Sequence, residues 1–177
     1  MKKYYFSENY LYFLTYRTKT FQNFLEANEI KEIIYNRIKN VKENHDNEYF
    51  AYSILNNHVH LMLLVTNKDS LTSDLQMIFG GSAREVNKKL NREGSLWGRS
   101  FALSVKSQLD YYRVLSYILS NPIRHGIVPN LNELYNYKYC NYRDFCVLNG
   151  REMMESLVLK NLRLKIEEEK FWKQYPI

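Results

Sequence analysis

Cysteine, proline and glycine are scarce in this chain, which has two, three and six of them among 177 residues. The two cysteines, Cys140 and Cys146, are separated by five residues and form no CxxC pair. This excludes a disulfide-rich scaffold and predicts two reduced thiols. No low-complexity linker or internal repeat is visible, so the length favours a single domain with an extension.

A long apolar segment is also absent. No run approaches the roughly 20 residues that a membrane-spanning helix needs. The N-terminal sequence MKKYYFSENYLYF lacks the apolar region and the small-residue cleavage site of a signal peptide. Hydrophobic residues make up 45% and charged residues 25% of the chain, as is typical of a globular protein. We therefore expect a cytoplasmic protein with a core of ordinary size.

Positive charge is concentrated in one part of the sequence. The formal net charge is +6, and residues 84–125 hold eight basic residues against three acidic ones. A concentrated basic surface favours a polyanionic partner. A solvated basic surface without such a partner is the alternative.

Hydrophobic periodicity predicts strands and helices in a regular order. Apolar and aromatic runs predict strands at 10–17, 49–55, 58–65 and 95–105. Apolar residues at helical spacing predict helices at 23–44, 71–91, 107–121 and 151–172. The second helix is expected to be interrupted at Gly80-Gly81, and the third to end at Pro122. Between Gly126 and about residue 150 the pattern predicts irregular structure.

This βαββαβ order, followed by two further helices, predicts an α+β fold with a ferredoxin-like antiparallel β-sheet and flanking helices. In that arrangement the first and third strands are central. We expect residues 1–128 to form the main domain. Residues 129–177 are expected to form a C-terminal extension of the same globular unit, ending in a helix.

The third predicted strand lies in the segment NNHVHLMLLV and contains two histidines, His58 and His60. Because side chains alternate along a strand, both imidazoles lie on one face. Two imidazoles bind a divalent metal ion well, but they need at least one more ligand. A pair of hydrogen-bonded core histidines without a metal is the alternative.

The helix predicted at 107–121 offers a candidate ligand and a candidate nucleophile. Its core-facing stripe is expected to contain Leu109, Tyr112, Leu115, Ile118 and Leu119. The opposite, polar face includes Tyr117 and, one turn further, Asn121. If this helix covers the histidine face, Asn121 becomes a third ligand and Tyr117 lies beside the metal. The alternatives are a structural tyrosine and an asparagine that caps the helix C-terminus.

Three segments carry a resemblance to a known family: NNHVHLMLLV, GSLWGRSFALSV and SYILSNPIRHGIV. In this order and spacing they resemble the single-tyrosine HUH (Y1) transposases, most closely the branch associated with repetitive extragenic palindromes. The His-hydrophobe-His motif corresponds to residues 58–60, and the Tyr-Ile-x-x-Asn-Pro run to residues 117–122. Thr-x-Arg and Arg-x-Gly correspond to residues 15–17 and 124–126. The resemblance spans roughly residues 8–145.

The chain departs from the family pattern at two places. Leu55-Asn56 stands where the family usually has Met-Pro, and His125 stands where it commonly has a small residue. Neither departure removes a metal ligand or the nucleophile. His125 is either a further DNA or phosphate contact or an exposed loop histidine without a role.

The resemblance implies an HUH fold in the main domain and cleavage and rejoining of single-stranded DNA, with DNA hairpins as the recognised form. Tyr117 is the implied nucleophile, which forms a 5′-phosphotyrosine. His58, His60 and Asn121 are the implied ligands of a divalent metal, Mg²⁺ or Mn²⁺, although Zn²⁺ and Ni²⁺ also suit imidazole. Family members occur as monomers or homodimers, and both are possible here.

Basic and aromatic residues are candidates for DNA contacts. The basic candidates are Arg17, Arg84, Lys88, Lys89, Arg99, Lys106, Arg113 and Arg124. Arg113 or Arg124 also suits stabilisation of the Tyr117 phenolate. Trp97 and Phe101 are candidates for stacking on unpaired bases, with core packing as the alternative.

Three other functions compete with the nuclease. The first is a non-catalytic domain of the same fold that binds hairpin DNA, although all motif elements are intact. The second is an RNA-binding ferredoxin-like domain, which needs aromatic residues on its central strands that HVHLMLLV lacks. The third is a structural zinc protein, which would normally use cysteine ligands.

Overall fold

The computed structural model of the protein describes residues 5–162. Strands and helices follow one another in this part of the chain in the order β1 (Tyr10–Thr18), α1 (Asn28–Asn44), β2 (Glu48–Ile54), β3 (His58–Val65), α2 (Lys68–Leu75), α3 (Gly81–Lys89), β4 (Trp97–Val105), α4 (Gln108–Arg124), α5 (Leu131–Asn136), α6 (Tyr142–Asn149) and α7 (Arg151–Asn161). A π-helical turn, Gln76–Gly80, joins α2 to α3. None of the helices in the described range is long and apolar enough to span a membrane.

The four strands form one antiparallel sheet in the order β2-β3-β1-β4. This confirms the α+β, ferredoxin-like fold and the central position of the first and third strands. A tight turn at Asn56-Asn57 joins β2 to β3, and the Leu55 N–H donates to the His58 carbonyl oxygen at 2.8 Å. In the register between β1 and β3, Thr15 lies opposite His60 and Arg17 lies opposite His58.

The sheet has a hydrophobic core on each face. Alternate β3 residues, among them Val59, Leu61 and Leu63, pack against α1, α2 and α3. The other face, which carries Met62 and Phe13, packs against α4, α6 and α7. Burial of both faces explains why β3 is apolar at nearly every position.

Helix α4 lies between the sheet and α7, and it differs from the sequence prediction in two ways. It does not end at Pro122 but continues to Arg124. The two N-terminal members of the predicted core stripe, Leu109 and Tyr112, are 59% and 36% exposed, whereas Tyr117 and Asn121 are buried. The C-terminal part of the predicted polar face, with Tyr117 and Asn121, therefore packs toward the sheet, although Arg113 on the same face is exposed.

The region after Gly126 was predicted to be irregular, and this prediction is wrong. It contains α5 and α6, and the chain then continues into α7. The last helix, predicted at 151–172, is described as far as Asn161, and the remainder of that prediction lies outside the described residues. The first helix begins at Asn28 rather than at residue 23. The predicted interruption at Gly80-Gly81 is the π-helical turn that ends there.

The C-terminal extension is bonded to the edge strand β2. Ser53 forms an isolated antiparallel bridge with Cys140. The Asn141 carboxamide accepts a hydrogen bond from the Tyr52 N–H at 2.9 Å and donates one to the Phe50 carbonyl oxygen at 2.8 Å. Phe50 lies where the register of β2 with β3 shifts, and Tyr52 follows in the regularly paired part of the strand. One side chain thus supplies the donor and the acceptor that a neighbouring strand would provide.

Candidate active site

The two histidines of β3 lie together under α4. His58 and His60 are 2% and 0% exposed, and their ring centroids are 4.7 Å apart. They share one face of the strand, as the alternation predicts. The spacing of the two residues and the packing of α4 over them place both imidazoles in a buried layer between sheet and helix.

Each imidazole is held through its Nδ1 atom. His60 Nδ1 is hydrogen-bonded to the Thr15 Oγ1 at 2.8 Å, across the β1–β3 register pair. His58 Nδ1 is hydrogen-bonded to the Asn57 Oδ1 at 2.7 Å. An amide oxygen accepts, so His58 carries its proton on Nδ1 in this contact, and Nε2 then has the lone pair. Such outer contacts fix the orientation of a ligating imidazole.

Burial favours the neutral form of both rings. It lowers the pKa of His58 well below its ordinary value, and His60, Arg17 and His125 act in the same direction. Burial is also the main reason that the pKa of His60 is well below the ordinary value; Arg17, His125 and Arg124 lower it further, whereas Asn121 raises it. Neutral imidazole is the form that binds metal ions.

Helix α4 places Tyr117 and Asn121 beside His60. The Tyr117 ring is 4% exposed, and its centroid lies 5.4 Å from that of His60 and 6.0 Å from that of Phe13. The two α4 residues are one turn apart, and the Asn121 Nδ2 donates to the Tyr117 carbonyl oxygen at 2.5 Å. Asn121 does not cap the helix, because α4 ends three residues later at Arg124.

The Asn121 carboxamide lies beside the two imidazoles. It is buried, and its side-chain hydrogen bond with the His60 ring raises the pKa of His60. Residues 5–162 contain no group of three His, Cys, Asp or Glu side chains suited to a metal ion. His58 and His60 can hold a divalent ion only if the Asn121 carboxamide oxygen serves as a third ligand.

Two arginines and a third histidine surround this buried group. Arg17 lies on β1 opposite His58 in the strand register. The Arg124 guanidinium lies over the Tyr117 ring, 5.0 Å from its centroid. His125 packs edge-to-face on His58, with ring centroids 4.9 Å apart and planes at 70°. His125 is exposed, but the packing of its ring on His58 partly desolvates it, which lowers its pKa, and Arg17 and Arg124 lower the pKa further.

The structure does not bring all predicted DNA-binding residues to the site. Arg17, Arg124 and Arg99 lie at the end of the sheet where β3 begins. Lys106 follows the opposite end of β4, and Arg113 is exposed in the first half of α4. Three others, Arg84, Lys88 and Lys89, lie on or at the end of α3, in the layer on the other face of the sheet.

The two aromatic candidates for base stacking take part in core packing. The Trp97 Nε1 donates to the Phe79 carbonyl oxygen at 2.8 Å, and its ring packs edge-on against Phe79. Phe101 is 7% exposed and contacts Phe13. Sequence reasoning missed Thr15 as a support for His60. It also left the role of His125 open, although its spacing of four from Asn121 places both on one face of α4.

Comparisons with known proteins agree with this architecture. A family model described as IS200-like transposase matches residues 6–121. A solved structure of a REP-associated tyrosine transposase bound to a REP hairpin is 20% identical. The match covers 85% of this chain and 87% of the solved chain, with a TM-score of 0.64. A protein from Deinococcus radiodurans R1, described as a transposase, is 21% identical over 67% of this chain and 95% of its own, with a TM-score of 0.46. No curated protein matches the sequence.

Proposed function

Because the chain belongs to the IS200-like transposase family, we propose that it cleaves and rejoins single-stranded DNA with Tyr117 as the nucleophile. The observation that supports this most directly is the placement of Tyr117 and Asn121 on one face of α4, against the buried His58–His60 pair. Membership of the family makes the chain a DNA-processing enzyme. The residues that carry the chemistry are our proposal.

The proposed reaction exchanges one phosphate ester for another. The Tyr117 phenol oxygen attacks phosphorus and loses its proton. The bond from phosphorus to the 3′ oxygen breaks, and that oxygen leaves as a 3′-OH after taking up a proton. The product is a 5′-phosphotyrosine, and attack by a 3′-OH on this ester releases the tyrosine and restores a phosphodiester. The energy of the ester bond is retained, so strand transfer needs no ATP.

His58, His60 and Asn121 are the residues we propose as ligands of a divalent metal, Mg²⁺ or Mn²⁺. When bound, such an ion polarises a non-bridging phosphate oxygen and offsets the charge that develops during attack. The protein prepares the ligands beforehand: Thr15 and Asn57 orient the rings, and burial favours neutral imidazole. The Asn121 carboxamide is oriented by its bond to the Tyr117 carbonyl oxygen.

The substrate that we propose is a single strand that includes a hairpin. The similar solved protein is bound to a REP hairpin. Around the site, Arg17, Arg99 and Arg124 are candidates for contacts with the strand that is cut. Lys106, Arg113, Arg84, Lys88 and Lys89 are candidates for phosphate contacts further away. We propose that the protein acts in the cytoplasm as a monomer or homodimer. We also propose that the extension at 129–177 folds with the catalytic domain at 1–128.

The test uses a labelled single-stranded hairpin from the DNA that flanks the gene, incubated with Mg²⁺ or Mn²⁺ and analysed on a denaturing gel. We expect a metal-dependent, protease-sensitive covalent band that is lost in Tyr117→Phe. Tyr112→Phe is the matched control, because Tyr112 is on the same helix but exposed. Cleavage that survives in Tyr117→Phe contradicts the proposed nucleophile. Hairpin binding without cleavage in either metal supports the non-catalytic domain instead.

A further inference from the structure

His125 is the one histidine near the candidate site that solvent reaches directly. It is exposed, whereas His58 and His60 are almost completely buried. Its ring packs edge-to-face on His58, at 4.9 Å between centroids. A substrate that enters from solvent toward the buried pair on this side therefore meets His125 first.

The position of His125 is fixed by α4. Its backbone N–H donates to the Asn121 carbonyl oxygen at 2.9 Å, in the last hydrogen-bonded turn of the helix. Tyr117, Asn121 and His125 are spaced by four residues, so they form one row along the helix. The row runs from the candidate nucleophile through the candidate ligand to the solvent-exposed imidazole.

Two arginines lie near this row. The Arg124 guanidinium lies over the Tyr117 ring at 5.0 Å and donates to the Leu162 carbonyl oxygen at 2.6 Å. Arg17 is the register partner of His58, and its guanidinium lies 5.0 Å from the Phe21 ring centroid. Both act on His125 electrostatically. Their positive charge opposes protonation of the nearby rings but favours an anion between them. A guanidinium fork matches two oxygens of a phosphate group, and a neutral imidazole donates a hydrogen bond through its N–H.

We propose that His125, together with Arg17 and Arg124, forms a seat for the phosphodiester that is cut, with His125 as a substrate contact. This rests on the proposed function, since it places the phosphate of a DNA strand next to Tyr117. His125 is neither the proposed nucleophile nor one of the proposed metal ligands or basic DNA contacts, so this gives it a role of its own.

Histidine NMR tests the seat independently of cleavage. The chain has four histidines, so each imidazole signal is assignable with single variants. His45 is a built-in control, because it lies near the start of β2, away from the seat, and is paired with Asp74. The probes are the dinucleotide d(TpT) and its uncharged methylphosphonate analogue, each added to the full-length protein with Mg²⁺ present.

We expect d(TpT) to shift the signals of His125 and His58 but not that of His45. His125→Ala should weaken d(TpT) binding about tenfold, as expected for loss of one hydrogen bond to a charged group. It should leave the weaker binding of the methylphosphonate unchanged. His125→Gln, which keeps a donor, should recover most of the affinity for d(TpT).

The proposal is overturned if d(TpT) leaves the His125 signal in place, or if His125→Ala weakens both probes equally. Equal weakening would mean that His125 only packs against His58. The gel assay with Tyr117→Phe is separate from this experiment. A covalent band that depends on Tyr117, together with an unmoved His125 signal, would overturn the seat and leave the tyrosine nuclease intact. A wild-type protein that forms no covalent band but whose His125 signal responds to d(TpT) would keep the seat and overturn the nuclease.

Discussion

Asn121 illustrates what could and could not be predicted at the scale of a residue. Its spacing of four from Tyr117 predicted that both lie on one face of α4, and they do. The sequence pattern predicted that this face of α4 points away from the core, because an amphipathic helix normally buries only its apolar stripe. Helix α4 lies between the sheet and α7, so both of its sides are covered. Tyr117 and Asn121 lie on the sheet side, next to His60.

The buried histidines predict how stability changes with pH in the metal-free protein. Their folded-state pKa values lie well below the ordinary 6.5, so below about pH 6.5 the unfolded chain binds protons that the folded chain does not. The free energy of unfolding should therefore fall as pH decreases from 7.5 to 5.5. The limit is about 1.4 kcal/mol per pH unit for each histidine.

Urea unfolding at pH 7.5, 6.5 and 5.5 measures this dependence. The variant His60→Asn removes one of the two groups and should show a shallower decrease than the wild type. Equal stability of the wild type at the three pH values would contradict the prediction.

Asp74 is a second buried polar residue, at the opposite end of β3 from the histidine pair. It is 0% exposed and accepts from the Asn47 Nδ2 at 2.7 Å, and His45 Nδ1 lies 2.7 Å from its other oxygen. Asp74→Ala removes the acceptor of both groups. We expect a loss of about 2–4 kcal/mol in the free energy of unfolding, measured in urea. Asp69→Ala, an exposed acid of the same helix, should change it by about 0.5 kcal/mol. Similar losses in both variants would contradict this reading.

At the scale of an element, two adjacent glycines at the π-helical turn make a matched pair. Both have helical φ and ψ, but only at Gly80 is there room for a methyl group, with Gln76 Cγ at 3.7 Å. A methyl group on Gly81 would overlap the Arg37 guanidinium. That group donates to the Met77 carbonyl oxygen at 2.8 Å and pairs with Glu85.

Gly80→Ala should therefore raise the free energy of unfolding by about 0.5–1 kcal/mol through helix propensity. Gly81→Ala gains the same propensity but displaces Arg37, so we expect it to be about 1–2 kcal/mol less stable than Gly80→Ala. Urea unfolding measures the difference, and Arg37→Ala in both backgrounds should abolish it. A difference that persists without Arg37 would mean that another contact is responsible.

The short helices α5 and α6 were not predictable from periodicity. They have six and eight residues, and helices of that length are stable only through the contacts that they make. Their tyrosine-rich sequence gives no helical stripe that stands out. Tyr137 and Asn141, outside these helices, bond to the backbone of β2 from 83 to 91 residues away, which a local pattern does not report.

At the scale of the whole molecule, the basic residues are distributed over both faces and both ends of the sheet. Most of the excess basic residues lie between residues 84 and 125 of the sequence, but in the fold they lie far apart. Arg99 and Lys106 are both exposed and lie near opposite ends of β4. Of these two residues, Arg99 is the one at the end of the sheet where β3 begins with His58.

We expect Arg99→Ala to weaken binding of single-stranded hairpin DNA and to reduce the dependence of log affinity on log salt by about 0.7, the value for one phosphate contact on a single strand. Lys106→Ala should reduce that slope less than Arg99→Ala does, because Lys106 lies near the opposite end of β4. Fluorescence anisotropy at several salt concentrations measures both variants. The same change of slope in the two variants would show that the strand extends along all of β4.

The Asn141 carboxamide has a consequence for self-association. By taking the place of a neighbouring strand along β2, it occupies hydrogen-bonding groups that would otherwise template a second chain. A fragment that ends at residue 128 keeps every proposed catalytic residue, but it uncovers this edge and also removes α6 and α7 from the hydrophobic core on that face of the sheet. Such a fragment should polymerise through both the open edge of β2 and the uncovered apolar face.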